Sequence, residues 1–218
     1  MTRALKSDRK GPAKAKRVVV FLHGYGADGA DLLSLGDVLG QYLPDTAFYA
    51  PDAPEPSSGN PFGRQWFPIP WLDGSSEEQA RASMAQSAQD LNAFLDRVMA
   101  DEGITPDQLA VVGFSQGTMM ALHVLPRRDK PVAGIVGISG RLLVPELLAA
   151  EARVKPPVLL IHGDEDPVVP FADLGLAADA LAAAGFEVFT YVMKGTGHGI
   201  SQDGLGATLQ FLRDRLKA

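Results

Sequence analysis

The chain has 218 residues, no cysteine, four histidines and a net charge of −6. Without Cys there is no disulfide framework, no thiolate nucleophile, no Cys-ligated zinc and no iron–sulfur cluster. Apolar residues make up 46% and charged residues 21%, a globular composition for a chain long enough to bury a full core.

The first predicted element is an arm rather than a fold unit. Residues 1–17 carry seven Lys and Arg against one Asp, a charge of +6, so the rest of the chain carries −12. The arm reads as a basic, flexible, solvated terminus, and an acidic body argues against nucleic-acid binding. No apolar h-region follows the basic residues, and no apolar run is long enough to span a bilayer. A soluble, cytoplasmic protein without membrane insertion is expected.

Residues 18–218 read as one domain. Val18–His23 is short, β-branched and ends at Gly24, a buried strand. Leu32, Leu35, Leu39 and Leu43 have helical spacing, so one helix is expected over about 31–42. Thr46–Ala50 is a second strand, followed by a Pro-, Gly- and Ser-rich stretch over 51–75 that holds Phe62, Trp66, Phe67, Ile69 and Trp71. A long helix follows to Asp101. Then come a strand at Leu109–Phe114, a helix over 116–125 and a strand at Val132–Ile138. A short helix near 145–152 precedes a strand at 157–162, a helix over 171–184, a strand over 186–192 and a closing helix from Gln202. Repeated strand–helix alternation with near-continuous apolar strands predicts a mostly parallel sheet covered by helices on both faces. Sites in such sheets lie beyond the carboxyl ends of the strands.

Three strand-to-helix loops carry chemistry. Gly113-Phe114-Ser115-Gln116-Gly117 stands between a predicted strand and a predicted helix, the context of a G-x-S-x-G nucleophile elbow. Its sharp turn needs small neighbours, which Gly113 and Gly117 supply, and it places the Ser115 hydroxyl at a helix N-terminus. Gly163-Asp164-Glu165-Asp166-Pro167 offers three acids, any of which could orient a catalytic histidine or simply cap a turn. Gly197-His198-Gly199 sets a histidine in the loop after the last strand. The order Ser, Asp, His is that of α/β-hydrolases.

With these loops goes a resemblance. The pieces Phe21-Leu22-His23-Gly24-Tyr25-Gly26-Ala27-Asp28, Ala50-Pro51-Asp52-Ala53-Pro54, the elbow, His162-Gly163-Asp164-Glu165-Asp166-Pro167-Val168-Val169-Pro170 and Gly197-His198 resemble the carboxylesterase/lysophospholipase family of α/β-hydrolases, which includes acyl-protein thioesterases. The resemblance spans about residues 18–200. It implies that Ser115, Asp166 and His198 are the triad, that Asp164 shapes its turn, and that the backbone N–H groups of Tyr25 and Gln116 form the oxyanion hole. Tyr25 stands where the family often has Leu. No cofactor and no metal is implied, and the family's frequent dimers allow a homodimer.

The remaining histidines have packing roles by their positions: His23 orients the oxyanion loop, His123 packs on the helix after the elbow, and His162 holds its loop. Trp66, Phe67 and Trp71 are candidates for a substrate-binding wall, or else for pegs anchoring a long loop, and Arg141 and Leu142 border the cleft. About twenty residues separate Ile138 from Val158. That leaves room for a short helix but no inserted cap. The expected function is hydrolysis of small-molecule carboxylic esters with small to medium acyl chains through an acyl-enzyme. Lysophospholipase or acyl-protein thioesterase activity on longer chains is the alternative. A dienelactone hydrolase usually needs the Cys that is missing here, and a non-catalytic binding protein would not need all three triad residue types.

Overall fold

The computed structural model describes residues 1–60 and 62–217. In chain order the elements are β1 (Ser7–Lys10), β2 (Arg17–Leu22), α1 (Gly29–Leu33), α2 (Leu35–Leu39), β3 (Thr46–Pro51), β4 (Glu55–Pro56), β5 (Arg64–Gln65), α3 (Pro70–Asp73), α4 (Glu77–Glu102), β6 (Leu109–Phe114), α5 (Gln116–Val124), β7 (Gly134–Ile138), α6 (Pro145–Glu151), β8 (Val158–Gly163), α7 (Ala172–Ala183), β9 (Val188–Met193) and α8 (Gln202–Leu216).

The central sheet has the order β1-β3-β2-β6-β7-β8-β9 and is parallel except where β1 runs against β3. Side chains alternate along β2. Val18, Val20 and Leu22 enter a core shared with α4, α5 and α7, while Val19 and Phe21 enter the opposite core with α1, α2 and α8. This is the α/β-hydrolase arrangement expected from the sequence. From β2 the chain goes to β3 on one side and later returns as β6 on the other. That reversal opens a crevice beyond the ends of β2 and β6.

The long helix α4 starts at a capping box, with Ser76 accepting from the Gln79 N–H and Gln79 accepting from the Ser76 N–H. It ends at Gly103 in the left-handed region, φ 66°.

The terminal arm differs from the expectation. Residues 7–10 pair with Pro51, Ala50, Tyr49 and Phe48, Leu5 is buried, and the arm's cations find acids on the body. Arg3 pairs with Asp90, Arg9 with Glu102, and Lys16 with Asp45. Pairing satisfies the strand's backbone, and the ion pairs dispose of the charge that suggested a solvated tail. The predicted helix over 31–42 is likewise two short helices that meet at Ser34.

Candidate active site

The elbow is held by close packing. Ser115 has φ 53° and ψ −115°, and its N–H donates to the Ile138 carbonyl at 2.8 Å. A Cβ at Gly117 would lie 1.9 Å from the Leu22 carbonyl oxygen, and one at Gly113 would lie 2.5 Å from the Gly117 backbone. The turn therefore exists only with glycine at both places. Holding a serine at positive φ costs about 1–3 kcal/mol, which the surrounding packing offsets. The Thr118 hydroxyl adds bonds to the Gly113 and Ile138 carbonyls at 2.8 and 2.9 Å. Ser115 stands at the N-cap position of α5, but its side chain caps no helix N–H.

The loops after β8 and β9 bring an acid to a histidine. Asp166 Oδ1 accepts from the Val168 and Val169 N–H groups at 2.8 and 2.9 Å, and Oδ2 accepts from His198 Nδ1 at 2.8 Å. Because the carboxylate only accepts, Nδ1 carries the proton and Nε2 is left as the basic nitrogen. Burial by itself would raise the Asp166 carboxyl. The bonds from His198, Val169 and Val168 outweigh it and hold the group below the usual carboxylate range. The His198 ring lies 4.9 Å from that of Phe114, the residue before Ser115. Of the other acids in the loop, Asp164 accepts from the Gly195 N–H and pairs with Lys194, so it shapes the turn, and Glu165 is exposed.

The loop after β2 is strapped from outside. The Gly26 N–H donates to the Arg64 carbonyl and the Arg64 N–H to the Ala27 carbonyl, at 2.8 and 2.7 Å. The Tyr25 hydroxyl shares a hydrogen bond with that of Ser58. Among the described residues, the N–H groups of Tyr25 and Gln116 donate to no loop or turn carbonyl. His23 is the latch of this loop: Nδ1–H donates to the Gly24 carbonyl at 2.7 Å, and Nε2 accepts from the Ala53 N–H at 2.9 Å. Burial pushes its pKa down, which keeps it neutral. His162 donates from Nε2 to the Val169 carbonyl at 3.0 Å, which also holds its loop.

The expected substrate wall needs correction. Trp66 is 0% exposed: its indole N–H donates to the His23 carbonyl at 3.0 Å and its ring packs beside the His23 imidazole. It is a peg, because a buried indole N–H must find an acceptor and finds one inside. Phe67 is also buried, and Leu142 is partly buried against the core. Arg141 is tied to Asp173 of α7 at 2.7 Å. Trp71, on α3, is open to solvent, at 79%. The Gln116 side chain, which bonds the Trp66 N–H and the Phe67 carbonyl, had no signal in the sequence beyond a glutamine inside the elbow motif.

A family model described as Phospholipase/Carboxylesterase matches residues 9–216. The chain belongs to this family. Family membership makes it an ester hydrolase of the α/β-hydrolase fold. A crystal structure of esterase PE8 superposes with a TM-score of 0.92 at 42% identity, covering 98% of this chain and all of that one. Acyl-protein thioesterase 1 of Saccharomyces cerevisiae is 31% identical over 94% of this chain and 95% of its own. Esterase YpfH of Escherichia coli is 28% identical over 93% of this chain and 83% of its own. Among the described residues, no helix is long and apolar enough to cross a membrane.

Proposed function

We propose that the protein is a serine carboxylesterase in which Ser115, His198 and Asp166 form the triad. The reading is carried by one observation: the His198–Asp166 pair, oriented with Nδ1 protonated, stands beside an elbow whose serine hydroxyl is left uncapped. Ser115 Oγ attacks the ester carbonyl carbon while His198 Nε2 takes its proton. The carbonyl electron pair moves to oxygen, and the N–H groups of Tyr25 and Gln116 receive that charge. Losing one such donor costs about 2.7–4 kcal/mol in enzymes of this type. The carbon–oxygen bond to the alcohol then breaks, and His198 returns the proton to the leaving alcohol. A water deprotonated by His198 releases the acid and restores Ser115. Asp166 stays ionised and steadies the imidazolium.

Substrates with small to medium acyl chains fit the short β7–β8 connection, where α6 is a seven-residue helix and no cap is inserted. The similarity to esterase PE8 favours the same reading, while the relatives called acyl-protein thioesterases favour longer thioester-linked chains as the second reading. Fluorophosphonate labelling with peptide mapping is expected to mark Ser115 alone, and Ser115→Ala to abolish turnover. Labelling elsewhere, or full activity in that variant, overturns the assignment. Competition between short- and long-chain esters decides between the two readings. A homodimer is proposed on family resemblance alone, and sedimentation equilibrium tests it.

A further inference from the structure

The Gln116 side chain is 1% exposed and spends both ends of its amide on one segment. Oε1 accepts from the Trp66 N–H and Nε2 donates to the Phe67 carbonyl, each at 2.8 Å. Two residues upstream the same segment grips the loop after β2 through the reciprocal Gly26–Arg64–Ala27 bonds. Asn60 Nδ2 adds a bond to the Gly26 carbonyl at 3.0 Å, and the Trp66 indole adds one to His23, next to Gly24. The hydrogen bonds thus form a chain from residue 116 through 66–67 and 64 to 26–27. Gln116, at one end of that chain, and Tyr25, next to Gly26 at the other, carry the N–H groups that receive the oxyanion in the reading above.

We propose that the Gln116 side chain is a positioning residue for ester hydrolysis: by clamping residues 64–67 it sets the spacing between the Gln116 and Tyr25 N–H groups. This inference rests on the proposed function. Oxyanion donors stabilise charge only when their positions are fixed before the charge appears. Gln116 N–H sits on a rigid helix, but Tyr25 N–H sits on a loop that must be fixed to something. The amide suits the clamp because it presents an acceptor to an N–H and a donor to a C=O at once. A carboxylate in its place would face the Phe67 carbonyl with a second acceptor. A protonated carboxyl group would restore both bonds, and burial raises a carboxyl toward that neutral form.

The test follows kcat and KM across pH in Gln116→Glu and Gln116→Leu, with fluorophosphonate labelling of Ser115 and thermal unfolding measured alongside. In Gln116→Glu the ratio of variant to wild-type kcat is expected to fall as pH rises, with KM little changed. Gln116→Leu is expected to lose roughly tenfold to a hundredfold in kcat at every pH, the scale of a donor misplaced by about an ångström. Folded Gln116→Leu with wild-type kcat overturns the proposal, and so does a ratio in Gln116→Glu that does not change with pH. If Gln116→Leu does not fold, Asn60→Ala loosens the exposed end of the chain at Gly26, where roughly a few-fold loss in kcat at constant KM is expected and no loss overturns the proposal. Normal labelling of Ser115 with either overturning result removes this inference alone. Absent labelling in an active wild-type enzyme removes the parent reading and this one together.

Discussion

Two aspartates in this molecule are equally withdrawn from water and have opposite fates. Asp90 on α4 and Asp166 after β8 both have fully buried side chains. Each is met by three donors. Asp90 accepts from the Arg3 backbone N–H at 2.6 Å, from Arg3 Nε at 2.7 Å and from Gln86 Nε2 at 3.1 Å. Asp166 accepts from two backbone N–H groups and one imidazole. A buried carboxylate needs such a set, because an unpaired one would cost several kcal/mol. What separates them is the chemistry of the partner. Arginine never gives up its proton, so the Arg3–Asp90 pair is a static fastener for the terminal arm. Histidine changes charge near neutrality, so the same kind of carboxylate becomes a support for a charge that comes and goes.

The largest expected effect tests the mobile member of this contrast. Asp166→Asn keeps the shape but offers His198 an amide, which favours the wrong tautomer. Steady-state kinetics should show kcat down by roughly 10⁴-fold, the size seen for this change in serine proteases, with a small shift in the unfolding midpoint. A mild loss of kcat would mean that His198 does not depend on Asp166.

Next comes the static member. Arg3→Met keeps the backbone N–H but removes Nε, the one charged donor of the three to Asp90. Arg3 is 39% exposed on its side chain, so water screens part of the pair, and the expected loss is about 2–3 kcal/mol in urea unfolding rather than the full cost of a buried pair. The kcat of the folded fraction should not change, and adding Asp90→Asn should return part of the stability. A drop in kcat without a drop in stability would erase the distinction between fastener and machinery.

The smallest effect is in the pH dependence of stability. His123 on α5 is pushed down from 6.5 to about 4, first by burial and then by the charge of Arg127, and burial lowers His23 as well. For a base depressed by folding, the unfolded chain binds the proton first. Stability is therefore complete above about 6.5 and declines as pH falls toward 4. Asp166, whose carboxyl is depressed, contributes stability above the ordinary carboxylate range and loses it only as pH falls through its lowered pKa. Acid unfolding should thus begin with the histidines and continue with the carboxylates. His123→Gln should flatten the first stage, and an unchanged profile would show that His123 does not contribute to it.

How much of this was readable beforehand depends on what each residue does. The sheet strands were legible because Val18-Val19-Val20-Phe21 and its counterparts have no role except burial. The elbow was legible because glycine at 113 and 117 is a steric necessity, visible as a pattern. Strand β1 was not, since Ser7-Asp8-Arg9-Lys10 holds its place by backbone pairing and ion pairs to distant acids, neither of which leaves an apolar alternation. Trp66 and Trp71 look alike in sequence, and only the acceptor at His23 decides that one is interior and the other bare. The break at Ser34 was hidden because leucines at 32, 35, 39 and 43 keep helical spacing across it. The Gln116 clamp joins residues fifty apart, a relation that no local pattern encodes.

The pairing of β1 with β3 has a practical consequence. A protein engineer who trimmed the first ten residues as a dispensable leader would not obtain a shorter enzyme with the same behaviour. Thr46–Pro51 would become an open sheet margin carrying Ala47, Phe48 and Ala50, with unpaired N–H and C=O groups able to recruit another chain. Those ten residues act as the molecule's guard against aggregation, and purification tags belong at the other terminus.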